Sequence, residues 1–401
     1  MEKTTFRIGP IRPPSEASSL LLQVTNGCTW NKCKFCQLYR HTKFQAYSAD
    51  SIKADIDNMV KLAERIRKYR TGESGADAAS GTAGGWDITG INSDMMKTEP
   101  GEERQCYYMM ANWLLSGGEN VFLQDGNTTA LSSGRLTDVL RYLREAFPSI
   151  KRITSYGRAE NLSKVSAEEF AELKEAGLDR IHSGYESGSD DVLKLINKGT
   201  TQEQEIIAGR NIKKGGIELS VYFMPGVGGK DLSQSNAEGM AHVLNQVNPD
   251  FIRIRTAAVK PGTELYEDFT AGIFRLASED DKVREIRNII ELSQGIETML
   301  VSDHIINLLQ RVEGSLADAA GDKAYMLGVI DEYLNLPDYE RRRYQFARRM
   351  AWVSEPVHME ALTEDRLERL NKFVESMTDA SGMINSEAWE IKMNEIICRY
   401  I

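Results

Sequence analysis

Six short apolar runs, each followed by a stretch of helical periodicity, constrain this chain more than any other feature of its 401 residues. The runs are Leu20–Thr25, Val121–Asp125, Arg152–Tyr156, Arg180–Glu186, Leu219–Met224 and Phe251–Thr256. A strand that must wait for a helix before its successor pairs in parallel, since antiparallel neighbours need only a tight turn. The intervening segments carry helix signals. Ser166 and Glu169 form a capping box ahead of Phe170 and Leu173, with Gly177 as the stop. Thr200 and Glu203 have the same spacing, and Leu136, Val139, Leu140 and Leu143 share one helical face. The expected fold is therefore α/β: a partial parallel (β/α)6 barrel with a C-terminal helical region.

Two segments depart from this alternation. After a helix over about 51–69 comes the Gly/Ala/Ser-rich stretch 72–85, then polar sequence to about 103, which reads as a flexible insertion over about 71–103. It serves either as a mobile lid or as an insertion without a role. From about 270 the strand signals stop, and 281–297, 302–312 and 364–377 read as amphipathic helices. The expected organisation is a core over 1–270 and a helical region over 271–401. A chain of this length is expected to hold two domains, or one barrel with an appendage, at roughly 100–200 residues per domain.

Charge and cysteine content exclude several classes. The chain has 49 basic and 59 acidic residues, a net charge of −10, which argues against a generic nucleic-acid coat. Five cysteines are too few for a disulfide scaffold. The longest apolar run near the start is Leu20-Leu21-Leu22, far short of a membrane span, and no signal-peptide core precedes it. A cytoplasmic protein without membrane contact is expected.

The inward strand faces are polar. Phe251, Arg253 and Arg255 alternate with Ile252 and Ile254; Arg180, His182, Gly184 and Glu186 share a face; Ser220, Tyr222 and Met224 oppose Leu219, Val221 and Phe223. A plugged barrel would show Val, Ile and Leu there. These faces suggest a ligand cavity, with Arg253 and Arg255 favouring an anion, or else arginines that reach solvent at strand ends.

The sharpest local feature is Cys28-Thr-Trp-Asn-Lys-Cys33-Lys-Phe-Cys36, directly after the first run. Three thiolates in nine residues point to one metal centre. Structural zinc wants four ligands, with His41 as the remaining candidate. Three cysteines without a fourth suit a [4Fe–4S] cluster that keeps one iron open.

This triplet, with an aromatic residue before its third cysteine, resembles the radical S-adenosylmethionine (SAM) superfamily. The chain has four residues between its first two cysteines, where the usual number is three. Phe122–Asn127 sits where the superfamily has its glycine-rich second-strand motif, and Gly184–Asp190 and Pro261-Gly262-Thr263 resemble the subgroup that contains methylthiotransferases, the Elongator catalytic subunit and oxygen-independent coproporphyrinogen oxidase. The resemblance covers about residues 15–270. It implies that Cys28, Cys33 and Cys36 ligate a [4Fe–4S] cluster and that SAM binds its open iron. Reductive cleavage of SAM to a 5′-deoxyadenosyl radical would follow, under anaerobic conditions and with a flavodoxin- or ferredoxin-type electron donor.

By position, Phe35 lies near the adenine or packs the loop, and Asp125 and Asn127 contact the methionine amino group. Glu186 makes a ribose or amino contact or is a helix N-terminal acid, and Lys198 pairs with the SAM carboxylate or is solvated. Met224 opens Met224–Lys230, whose backbone faces the adenine or is a simple loop. His304 and Tyr222 are the candidate catalytic residues on the substrate side, His304 being alternatively a packed histidine behind a capping aspartate. The basic run Arg341–Arg349 is a solvated helix face or an RNA-binding element. Only Cys106 and Cys398 remain for any second centre. The expectation is therefore a single-cluster enzyme acting on a small or medium organic substrate, with nucleic acid as an unlikely partner. The alternatives are a non-catalytic iron–sulfur or heme-trafficking protein on the same scaffold, and a zinc-stabilised RNA-binding module.

Overall fold

The structure, a computed structural model, describes residues 4–71, 82–380 and 382–400. Its principal strands are β1 (Leu20–Gln23), β2 (Asn120–Gln124), β3 (Arg152–Tyr156), β4 (Arg180–Glu186), β5 (Glu218–Phe223), β6 (Phe251–Ile254), β7 (Met299–Val301) and β8 (Gly314–Ser315). The first six fall within a residue or two of the apolar runs. They are recognisable because both faces of a parallel strand are covered, which leaves near-continuous apolar sequence.

The chain divides into two compact units. The first comprises residues 1–29, 41–182 and 214–218; the second comprises 30–40, 183–213 and 219–401. In the first unit β1, β2, β3 and the start of β4 lie side by side in chain order, all parallel, with Leu22 beside Leu123 and Ser155 beside Ile181. In the second unit the end of β4 is followed by β5, β6 and β7, with Arg253 flanked by Tyr222 and Val301, and β8 closes the order antiparallel to β7. Parallel strands in chain order, each of the first six followed by helix, are the expected (β/α) arrangement.

Helix signals translate directly where they are local. Helix Ala167–Glu175 starts with the Ser166–Glu169 capping box, and helix Ser133–Ala146 buries Leu136, Val139, Leu140 and Leu143. The next cap slips by one residue: Thr201 and Gln204, in place of Thr200 and Glu203, exchange side-chain bonds to backbone N–H groups at 3.3 and 3.0 Å ahead of helix Gln202–Lys214. In the second unit helix Glu279–Leu292 packs on helix Ser233–Val247, each through its apolar stripe.

The expected insertion holds more structure than its composition announces. Residues 72–81 lie outside the described residues. Strands Thr82–Ala83 and Trp86–Asp87 pair antiparallel, and helix Ile88–Met96 follows. Its anchor is polar: the buried Asp94 carboxylate accepts two bonds from Arg65, at 2.8 and 3.0 Å, and one from the Tyr107 hydroxyl at 3.1 Å. Counting apolar residues misses such an attachment.

The stretch 302–312 is a correction. Ile305, Ile306, Leu308, Leu309 and Val312 suggest a helix, but the segment is irregular turn and loop between β7 and β8. No helix of the described residues is long and apolar enough to cross a membrane.

Candidate cofactor site

In the first unit the site residues gather where β1 and β2 end. Cys28, half-buried and free of disulfide, lies on the loop beyond β1. Asp125 follows β2 and is fully buried. Its Oδ2 accepts the Gly27 N–H at 3.3 Å and the Gln23 side-chain amide at 3.4 Å. Burial pushes its pKa up to about 6 against these bonds, which lower it. Asn127, also fully buried, donates to Thr29 Oγ1 (3.0 Å) and Asn161 Oδ1 (2.7 Å). Its own Oδ1 accepts from Thr129 Oγ1 (2.9 Å) and the Arg158 N–H (3.2 Å). Both side chains thus brace the residues next to Cys28, Asp125 through Gly27 and Asn127 through Thr29.

The rest of the cysteine loop, Trp30–Arg40, belongs to the second unit. Cys33 is buried and Cys36 half-buried, and neither is in a disulfide. Arg40 donates to the carbonyls of Cys33 (3.0 Å) and Cys36 (3.1 Å) and pairs with Glu264 at 2.9 Å. The Lys34 N–H donates to the Ile196 carbonyl, and its own carbonyl accepts from Leu265, both at 2.9 Å. The Trp30 indole donates to the Asn197 carbonyl at 2.7 Å. Gly199, left-handed at φ +68°, is needed here, because a Cβ would collide with the Trp30 ring.

Phe35 packs against an apolar cluster of Val192, Ile196, Met224, Val227 and Ala257. Lys198 Nζ stands 5.7 Å from the centre of the Phe35 ring and forms an ion pair with Glu186 at 3.1 Å, both side chains nearly buried. Lys198 is therefore not a solvated lysine. Glu186 ends β4 in a left-handed conformation, φ +68°, a backbone state that non-glycine residues adopt at a cost. Phe35, Glu186, Lys198 and Met224 are thus brought together in this unit.

Tyr222 lies on β5 beside Arg253 of β6. Arg253 is committed: it pairs with Asp303 at 2.7 Å and donates to Ser220 Oγ at 3.2 Å. His304 sits in the loop after β7 and not at a helix start. Its Nδ1 accepts the Ile306 N–H at 3.3 Å, and burial, with the Arg255 charge second, lowers its pKa to about 4. Asn307 is a structural clip, fully buried, with bonds to Thr256 and to the carbonyl of Ile254.

The basic run, in helix Asp338–Arg349, is neither solvated nor a free cationic face. Arg341 pairs with Asp280, Arg342 with Asp338, Arg343 with Glu340 and Arg349 with Glu279, while Arg348 donates to the carbonyls of Ile305 and Asn307.

Two buried acids escape a sequence reading. Glu285 accepts the Gly226 N–H (2.8 Å), the Ser233 hydroxyl (2.6 Å) and the Asn236 amide (2.8 Å), so it holds the turn after Met224 in place. Burial pushes its pKa up to about 7 against those bonds. Its one signal is an acid on the stripe that also carries Ile286 and Ile289. Glu205 is fully buried with neither carboxylate oxygen hydrogen-bonded, and burial drives its pKa well above the carboxylate range.

Among the described residues no three His, Cys, Asp or Glu side chains surround a common point as a single-ion site requires. A cuboidal iron–sulfur cluster takes each thiolate at a separate iron, and three cysteines outside any disulfide within nine residues of sequence are a fitting donor set. Residues 104–235 match the family model described as the radical SAM superfamily. That stretch, about a third of the chain, is a radical SAM domain, and the enzymes of that superfamily use a [4Fe–4S] cluster and SAM as cofactors.

Among its curated relatives is a tRNA uridine(34) acetyltransferase of Methanocaldococcus infernus, 29% identical over 30% of this chain and 23% of that protein. Another is the heme chaperone HemW of Bacillus subtilis, 22% identical over 41% of this chain and 43% of the relative. The chain thus spans about a quarter of the first and under half of the second. The solved Escherichia coli coproporphyrinogen III oxidase (HemN), a radical SAM enzyme, is 12% identical with a TM-score of 0.35, covering 96% of this chain and 90% of that one.

Proposed function

We propose that the chain cleaves SAM reductively and directs the resulting 5′-deoxyadenosyl radical at an organic substrate. The observation that carries this reading is the segment Cys28–Cys36, which has three cysteines outside any disulfide just past a parallel strand, where ligands of α/β sheets bind. In this reading Cys28, Cys33 and Cys36 hold the cluster. That group, once bound and reduced, would supply the one electron that splits the sulfonium of SAM into methionine and the radical.

The protein's own residues bind and orient. Asp125, ionised at neutral pH, receives the methionine ammonium, and Asn127 fixes the loop around it. Lys198 exchanges part of its pairing with Glu186 for the SAM carboxylate, while Glu186 turns toward the ribose or amino group. Phe35 and the turn opened by Met224 and held by Glu285 bound the adenine and exclude water. Tyr222 and His304 face the substrate.

Two relatives with a tRNA-modifying name lend no support to setting nucleic acid aside. We nevertheless read the substrate as a small or medium molecule, because the arginine run that would furnish a cationic RNA face is engaged within the fold.

The test is anaerobic. The protein is reconstituted with iron and sulfide and reduced with dithionite, SAM is added, and 5′-deoxyadenosine is quantified beside Cys33→Ala. Product from the wild type and a loss of about a hundredfold or more in the variant is expected. An intact cluster that leaves SAM whole, with hemin bound instead, would favour a trafficking protein; stoichiometric zinc without iron would overturn both.

A further inference from the structure

In the second unit the carboxyl ends of β4, β5 and β6 form one lip, since Met224 N–H bonds the Glu186 carbonyl and Arg255 N–H bonds the Phe223 carbonyl, both at 2.9 Å. Arg253 lies on β6 and Arg255 directly follows it, and the two differ in one respect. Arg253 has its counter-charge in Asp303. Arg255, half-buried and two residues nearer the lip, has no ion pair or side-chain hydrogen bond.

His304 lies near it in the chain's fold. Val301 is opposite Arg253 across β6 and β7, with Arg255 two residues and His304 three residues beyond that pair. The Arg255 charge acts on the imidazole. With Nδ1 taken by the Ile306 N–H, the neutral ring carries its proton on Nε2. Among the described residues a guanidinium and an N–H donor therefore stand without a side-chain acceptor, and the neighbouring carboxylate, Asp303, is taken by Arg253. A half-buried guanidinium loses solvation that only an anion or several acceptors restore.

We propose that Arg255 and His304 form an oxyanion-binding pair that seats a carboxylate or phosphate group of the substrate. The word "substrate" rests on the reading of the chain as a SAM-cleaving enzyme; the anion site does not. Arg255 provides the paired N–H fork and His304 a single N–H, so the site accepts an oxyanion and not a halide. Seated there, the charged end of the substrate would fix its reacting carbon relative to the lip, along which Tyr222 and Glu186 also stand.

The reconstituted full-length protein, with SAM present and reductant withheld, is titrated with sodium phosphate or sodium succinate at constant ionic strength, and melting temperature is followed against sodium chloride. The expected result is a saturable rise with at least one oxyanion over chloride. That rise weakens by about tenfold or more in apparent affinity in Arg255→Gln, with partial retention in Arg255→Lys. Preference for phosphate or for succinate identifies which oxyanion the site takes. No rise over chloride in the wild type, or an undiminished rise in Arg255→Gln, overturns the proposal. 5′-Deoxyadenosine formation by the wild type is measured separately, so an anion site without SAM cleavage, or cleavage without an anion site, is distinguishable.

Discussion

Asp125 shows how burial of a single residue sets a pH dependence. Its carboxylate is fully buried, and burial lifts the pKa from the ordinary 3.8 to about 6. The folded state therefore holds this proton more tightly than the unfolded state does. The group's contribution to stability is greatest below about pH 4 and falls as the pH rises through 6. Asp125→Asn should flatten the stability profile between pH 4 and 7 and raise stability at pH 7 by about 2 kcal/mol. It should also weaken SAM binding about tenfold, since an amide is a poorer partner for an ammonium than a carboxylate. Urea titrations across that range, with equilibrium dialysis of SAM, test both; an unchanged pH profile would show that the acid carries no such penalty. The residue is legible in the sequence as a polar side chain at the end of an apolar strand. Its burial is not, because that depends on which neighbours the fold supplies.

Helix Asp338–Arg349 and the loop 302–312 look unrelated in the sequence, one a basic face and the other an amphipathic helix, yet the two explain each other. The loop buries Ile306, Leu308, Leu309 and Val312 without forming a helix, which would leave its carbonyls without partners. Arg348 donates to the carbonyls of Ile305 and Asn307, Arg349 to that of Ile306, and the Tyr344 hydroxyl to that of Leu308. Such pairing lies some 40 residues away, beyond any helical or strand period. Arg348→Ala should leave two buried carbonyls unpartnered and cost about 2–4 kcal/mol. Lysine at this position should recover only part of that, since it cannot reach both acceptors in a fixed fork. Thermal or urea unfolding measures the loss; a variant as stable as the wild type would mean that water replaces the arginine. The Thr201 cap carries a milder form of the same lesson, because Thr200 and Thr201 offer equal chemistry and the start of the helix decides between them.

For the molecule as a whole, the apolar strand positions are buried among protein groups, while the three thiols lie on a loop outside the strands. Folding and cofactor binding are therefore separable, in contrast to zinc fingers, which unfold without metal. Removing iron from the reconstituted protein with a chelator should abolish 5′-deoxyadenosine formation while leaving the far-UV circular dichroism within about 10% of its starting value, since the apolar burial that drives folding is untouched. Collapse of the spectrum would show instead that the cluster is a structural staple.

By itself, the sequence determined the six strands and their order, most helices, the thiol triplet and the cofactor class. These rest on local periodicity, capping and spacing, which the chain encodes over a few residues. Only the tertiary structure decided which polar groups are engaged and which are not. It tied up Arg253 and left Arg255 without a partner, paired Lys198 with Glu186, set Glu285 under the Met224 turn, and turned the arginine run inward to complete a loop. The physical reason is that a charge or a hydrogen-bonding group has its role set by whatever lies within about 3 Å of it, and in a folded chain those neighbours come from distant parts of the sequence.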